Sequence, residues 1–104
     1  MRVIRLVESL PRSQGADVIG RQLVRCATSV GANYRAARRA GSRAEFMSEL
    51  GIVEEEVDEA AYRLDLLGAS GLMAPTRPAD LARECDELTA IVVATIRSTK
   101  RTRP

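Results

Sequence analysis

Apolar residues recur at alternating spacings of four and three along most of this 104-residue chain. An α-helix has 3.6 residues per turn, so residues at these spacings lie on one face of a helix. The pattern predicts amphipathic helices that pack along shared apolar seams, as coiled coils do. The seam residues are Ile19, Leu23, Cys26, Val30, Asn33 and Ala37 in one segment, Phe46, Leu50, Val53, Val57, Ala60, Leu64 and Leu67 in the next, and Leu81, Cys85, Leu88, Val92 and Thr95 in the last, where Ile91 and Ile96 widen the seam.

Residues that begin or end helices divide the chain into segments. Ser13 is placed to cap one helix, Ser42 with Glu45 forms a capping box for the next, and Gly68 or Gly71 can end that helix in a left-handed conformation. Short connections favour antiparallel neighbours. The sequence therefore predicts one all-α domain over residues 1–104, an antiparallel up-down-up-down four-helix bundle with a short first helix. We expect helices at about 2–10, 14–40, 43–69 and 77–98 and a basic tail at 99–104.

The first predicted helix is too short to cover its neighbours. Its roughly nine residues make a helix of about 14 Å, whereas the second helix, of about 26 residues, extends for about 39 Å. Uncovered seam residues would face water at a cost of about 25 cal/mol per Å² of apolar surface. Either another copy of the chain covers this surface, or the natural first helix begins upstream of Met1. We therefore expect a homo-oligomer rather than a monomer.

Composition excludes several classes of function. The chain has no histidine, and it has no apolar run near the roughly 20 residues that cross a membrane. No phosphate-binding loop, nucleophile motif or metal-ligand cluster is recognisable, so we predict no catalytic residue, metal, cofactor or small-molecule substrate. The N-terminus is too interrupted by charge for a secretory signal, which favours a cytoplasmic protein. Cys26 and Cys85 lie on apolar seams, and we expect both to be buried and reduced.

Charge is segregated along the chain. Residues 1–43 hold nine arginines and two acids, and residues 44–87 hold twelve acids and three arginines. Residues 88–104 hold four basic residues and no acid. Arginines on the second helix form a solvent-facing row that can follow a phosphate backbone. The predicted nucleic-acid-binding residues are Arg21, Arg25, Arg35, Arg38, Arg39 and Arg43. The alternative is a solvated face, or ion pairs with the acidic third helix. Aromatics make up only 3% of the residues, which argues against a stacking platform for single strands.

A stripe of small residues lies beside the seam of the second helix and would let another helix approach closely. The stripe does not show whether that helix belongs to the same chain. Outward acids of the third helix complement the arginines, so copies can dock head to tail. The predicted interface residues are Gly20, Val24, Ala27, Gly31, Glu55 and Glu59.

Asn33 lies on the apolar seam between Val30 and Ala37. A buried amide needs hydrogen-bond partners and can fix the register of a bundle. We interpret Asn33 as a polar core residue with backbone partners, and a ligand-binding role is the alternative.

The segment from Gln22 to Tyr34 resembles the bacterial four helix bundle protein family. That family includes proteins encoded in intervening sequences of large-subunit ribosomal RNA genes and the accessory variability determinant of diversity-generating retroelements. The resemblance covers about residues 10–98. The matching positions are Gln22, Leu23, Arg25, Ser29, Ala32 and Asn33, with Ala44-Glu45-Phe46 in place of the family's Lys-Glu-Phe and Glu59 at a recurring acid. The departures are Arg35-Ala36-Ala37-Arg38 after Asn33, and Glu55-Glu56 in place of a small pair.

The resemblance implies a homo-oligomer, typically a pentameric barrel, with a basic surface able to contact nucleic acid. In retroelements the barrel partners a reverse transcriptase. We therefore expect a non-enzymatic oligomeric bundle that binds RNA or DNA, or a nucleic-acid-handling partner such as a reverse transcriptase. The alternative is a structural or protein-interaction oligomer whose arginines are neutralised by its own acids.

Overall fold

The structure is a computed structural model that describes residues 2–101. It contains four helices, α1 at Arg2–Glu8, α2 at Gln14–Arg38, α3 at Arg43–Ser70 and α4 at Thr76–Arg101, joined by short connections at 9–13, 39–42 and 71–75. The expectation of an all-α bundle of four helices with a short first helix is confirmed. The bounds of α2 and α3 lie within two residues of the predicted ones.

Local side-chain chemistry starts and stops the long helices as predicted. Ser13 Oγ accepts a hydrogen bond from the Ala16 amide at 3.1 Å, and Ser42 Oγ accepts one from the Glu45 amide at 3.1 Å. Glu45 Oε2 in turn accepts from the Gly41 amide at 2.9 Å, which is one residue outside the usual capping box. Gly71 ends α3 with a φ of 79°, a left-handed conformation that glycine adopts without strain.

The outer helices differ from the prediction at their ends. α1 stops at Glu8 rather than at residue 10, because Pro11 disfavours a helical conformation for the residue before it. α4 runs on to Arg101, so the tail expected from residue 99 is helical for three more residues. Basic residues favour the negative end of a helix, and Lys100 and Arg101 supply them there. The remainder of the predicted tail, residues 102–104, lies outside the described residues.

The helices pack with α3 at the centre. α3 lies against both α2 and α4, and α1 bridges the tops of α2 and α4. Over residues 2–101 no Cα atom of α2 comes within 8 Å of one in α4. Helices on opposite diagonals of a four-helix bundle are separated in this way, which agrees with the predicted connectivity.

The core consists of two clusters stacked along the bundle. The upper cluster contains Leu6, Leu23, Cys26, Ala60, Leu64, Leu67 and Leu81. The lower cluster contains Ala37, Leu50, Val53, Val57 and Val92. α3 contributes to both, and all of its predicted seam residues except Phe46 are buried.

Beyond α1 the space between α2 and α4 is open. α1 has seven residues and its one buried side chain, Leu6, belongs to the upper cluster. Below it lies an apolar groove of about 320 Å³ whose floor is Val57, Ala60 and Leu64 of α3. The prediction that the first helix is too short to cover the apolar seams of its neighbours is therefore confirmed.

Several predicted seam residues are less buried than expected for this reason, Ile91 and Cys85 among them. Ile91 was expected in the seam but is 59% exposed, since α4 passes the end of α1 before reaching it. Cys85, expected to be buried, is partly exposed and lines the groove.

Candidate nucleic-acid interface

The six arginines proposed as a basic surface are all exposed on the folded chain. Arg21 lies in the upper half of α2, Arg35 and Arg38 lie in its last turn, and Arg39 is its C-cap residue. Arg43 is the first residue of α3, across the short connection. The solvent-facing placement predicted from helical spacing is thus confirmed, whereas the binding role stays a prediction.

Arg25 differs from the other five because its guanidinium is tied to α3. Its Nη1 lies 2.9 Å from Glu56 Oε2, its Nη2 lies 2.6 Å from Glu59 Oε2, and its Nε donates to Gln22 Oε1 at 3.0 Å. All three nitrogens therefore have acceptors within the chain. Arg25 therefore forms ion pairs with the acidic helix α3, which was the alternative to phosphate binding.

The ion pairs around Arg25 also set the titration of their neighbours. The hydrogen bond from Arg25 lowers the pKa of Glu59, and the same bond raises the pKa of Arg25 above its ordinary value. Burial, with a hydrogen bond to Glu59, raises the pKa of the Cys26 thiol. Cys26 therefore stays a protonated thiol that donates to Glu59 Oε2 at 3.5 Å.

This cluster also contains a group of potential metal ligands. Cys26, Glu56 and Glu59 are the one such group in residues 2–101, with donor atoms within 4.8 Å of one another. The Arg25 guanidinium already bridges the two carboxylates, so a cation would have to displace it. We interpret the cluster as an ion-pair connection between α2 and α3.

The lower end of α2 carries the densest arginine group. Gly31, Tyr34, Arg35, Arg38 and Arg39 line a shallow depression of about 410 Å³. Tyr34 is 45% exposed there. In the part of the chain that the structure describes, none of the three arginines has a carboxylate partner. Their charge is therefore available to an anionic ligand.

α1 covers only the upper part of the small-residue stripe on α2. Gly20 is buried against Val7 and Leu10, so the close helix contact there is made by α1 of the same chain. We correct the interface assignment of Gly20 accordingly. Ala27 lines the groove, and a Cβ atom added at Gly31 would have nothing within 4 Å. Of the acids assigned to the interface, Glu55 is exposed and Glu59 is paired with Arg25.

Asn33 is less buried than its seam position predicted. It is only partly buried, and its Nδ2 donates to the Ser29 carbonyl oxygen at 2.9 Å and to Ser29 Oγ at 3.0 Å. The expected backbone partner is present, but both bonds lie within one helix. They satisfy the amide locally without linking two helices.

Within residues 2–101, no helix contains an apolar stretch of the length needed to cross a membrane.

Comparison with known proteins finds similarity over most of the chain. The family model described as 23S rRNA-intervening sequence protein matches residues 1–94. A solved structure, described as a protein of unknown function from the S23 ribosomal protein family of Bacteroides thetaiotaomicron, is 30% identical with a TM-score of 0.84. The match covers 92% of this chain and 86% of that one. No curated protein matches the chain.

Proposed function

The chain belongs to the 23S rRNA-intervening sequence protein family, and we propose that it is a non-enzymatic oligomer that binds RNA or DNA through arginines of α2 and of the adjoining start of α3. One observation carries the proposal, the set of exposed arginines that have no carboxylate partner within residues 2–101. These are Arg21, Arg35, Arg38, Arg39 and Arg43. Guanidinium groups bind phosphate oxygens through charge-assisted, often bidentate hydrogen bonds. We assign no catalytic role, because the chain has no histidine and the carboxylates of Glu56 and Glu59 are both paired with Arg25.

Salt dependence tests the binding directly. Each phosphate contact releases a counterion, so affinity for a duplex falls with a slope of about 0.9 per contact when log K is plotted against log salt. Changing Arg21, Arg35, Arg38 and Arg39 to Gln should flatten this slope by about 3.6 units. The matched control changes the same four residues to Lys, which keeps the charge and should keep most of the slope. Wild-type protein that binds no duplex at low salt would end the proposal.

The ion pairs of Arg25 favour a second candidate function. If the acids of neighbouring copies neutralise the remaining arginines as Glu56 and Glu59 neutralise Arg25, the protein is a structural or protein-interaction oligomer. A nucleic-acid-handling protein, such as a reverse transcriptase, belongs instead with the first candidate, as another partner that the unpaired arginines could bind. The absence of duplex binding, together with a stable oligomer, would support the second candidate.

The uncovered groove supports self-association. Its lining is apolar, and Ile91 and Gly31 lie exposed beyond the end of α1. Such surface is commonly covered by a partner. We propose a second copy of the chain as that partner, because the exposed acid Glu55 and the α2 arginines are complementary in charge. The family resemblance suggests five copies. Light scattering tests this, since one chain has a mass of 11.3 kDa and a monomer would refute the oligomer.

A further inference from the structure

We infer that phosphates are bound at the lower end of the bundle, where α2 and α4 both have their C-terminal turns, and that Arg97, Lys100 and Arg101 of α4 bind them together with the α2 arginines. This inference rests on the proposed nucleic-acid binding. It adds three residues and a location to that function. The ligand chemistry is the phosphodiester backbone that RNA and DNA share.

The fold brings these basic residues together from distant parts of the sequence. In the lower core cluster, Ala37 of α2 packs with Leu50 of α3 and Val92 of α4, and Phe46 and Ile96 pack against the same cluster. Arg38 and Arg39 directly follow Ala37, and Arg97 directly follows Ile96. Arg43 lies one turn before Phe46, whereas Lys100 and Arg101 lie one turn beyond Arg97. All of them therefore lie at the same end of a molecule that is 52 Å long.

Charge at this lower end is strongly unbalanced. The stretches 34–49 and 88–101 hold seven basic residues and two acids, Glu45 and Glu49. Glu45 already accepts a hydrogen bond from the Gly41 amide. No ion pair involves any of the seven basic residues within the described range.

At the opposite end of the bundle, two basic residues pair with acids, whereas the exposed Arg5, Arg12 and Arg77 have no ion pair within residues 2–101. There Arg2 pairs with Glu84, and Arg83 pairs with Asp80. The two ends therefore differ in unpaired charge although both carry arginines. The lower end favours anion binding because its seven basic residues lie with only two acids, whereas the stretches 2–17 and 65–87 of the opposite end hold five basic residues and seven acids.

The size of the lower end suits a nucleic-acid backbone. The bundle has a cross-section of 20 × 18 Å. A duplex carries one charge per roughly 1.7 Å of axis, so roughly a dozen phosphates lie along that width and about half of them face the protein. Seven cations match that number of phosphates. Surface charge of this kind binds the backbone without reading the sequence.

Three-residue variants at the two ends provide a matched test. The test variant changes Arg97, Lys100 and Arg101 to Gln. The control changes Arg5, Arg12 and Arg77 to Gln, which removes the same charge from exposed residues at the opposite end. Binding to a 20-bp RNA duplex and to a DNA duplex of the same sequence is measured by fluorescence anisotropy from about 50 to 200 mM salt, the range over which counterion release is strong.

The test variant should lose about 2.7 units of salt slope on both duplexes, while the control should keep the wild-type slope. When the salt concentration rises fourfold, the affinity of the test variant should therefore fall by a factor roughly 40 times smaller than the factor by which the wild-type affinity falls. Because basic residues also stabilise helix C-termini, circular dichroism must show that the variant stays folded. A milder variant, Lys100 and Arg101 to Gln, should lose about 1.8 units.

Equal losses in the test and control variants would overturn the inference, as would an unchanged slope in the test variant. A loss on the RNA duplex alone would contradict backbone recognition. Failure of the wild-type protein to bind either duplex overturns the proposed function itself, so the two failures are distinguishable.

Discussion

The packing of α1 on α2 depends on a single glycine. A Cβ atom added at Gly20 would lie 2.9 Å from Val7 Cγ1 and 3.7 Å from Leu10 Cδ1. Val7 is β-branched, so its methyl group cannot easily rotate away. The substitution Gly20→Ala must therefore push α1 outward or distort the side chains that hold it.

The substitution Gly31→Ala separates this packing cost from helix propensity. Alanine is favoured over glycine in a helix by about 0.8–1.0 kcal/mol at either position. At Gly31 no atom of the same chain lies within 4 Å of the new methyl group, so within one chain the full gain should appear as added stability. At Gly20 overpacking costs about 1–3 kcal/mol and offsets the gain. The two variants should differ by about 1–3 kcal/mol in free energy of unfolding.

Urea unfolding followed by circular dichroism measures that difference. For a domain of this size each kcal/mol also shifts Tm by about 4–8 °C. Equal stabilisation by both substitutions would refute the packing of α1 on Gly20. If Gly31→Ala instead destabilises the protein and lowers its mass in solution, Gly31 contacts a second copy.

Three further predictions follow from the core and from the Arg25 cluster. Because the fold lowers the pKa of Glu59 below its ordinary value of 4.5, its stabilising contribution is present above that pH and is lost as the pH falls through the lower folded pKa. The stability difference between wild type and Glu59→Gln should thus shrink on acidification, and a pH-independent difference would count against the ion pair. Cys26 should resist a thiol reagent until the chain unfolds, and Cys85, whose pKa burial raises to about 11, should react more slowly than free cysteine; rapid labelling of both would contradict this. Leu64→Ala should cost about 2–5 kcal/mol in urea unfolding, because Leu64 is only 1% exposed at the centre of the upper cluster, and a loss under about 1 kcal/mol would contradict its burial.

Local patterns in the sequence were enough to predict the helices and most of their buried faces. The four-three spacing identified six buried residues of α3, and the serines before α2 and α3 marked where those helices begin. Such features act within one helix over a few residues, and they do not depend on which helix packs against which. For the same reason, exposure of the α2 arginines followed from their angular distance from the seam.

Partners across helices could not be predicted in this way. Arg25 and Glu59 are 34 positions apart, and their contact depends on the register between α2 and α3. Ile91, Cys85 and Asn33 lie on or beside the predicted seams, yet each is at least partly exposed. A seam residue is buried only where another helix reaches it, and helical periodicity in one segment does not report the length of its neighbours.

By itself the sequence determined that this chain forms four helices, which face of each is apolar, and that the first helix is too short. The tertiary structure decided which residues the short first helix leaves exposed, since α1 covers Gly20 and leaves the groove above Val57 open. It also decided which charges are paired. The antiparallel path brings Arg38 and Lys100 to one end although 62 positions separate them in sequence. Helix formation depends on neighbours along the chain, whereas burial and ion pairing depend on the relative lengths and positions of whole helices.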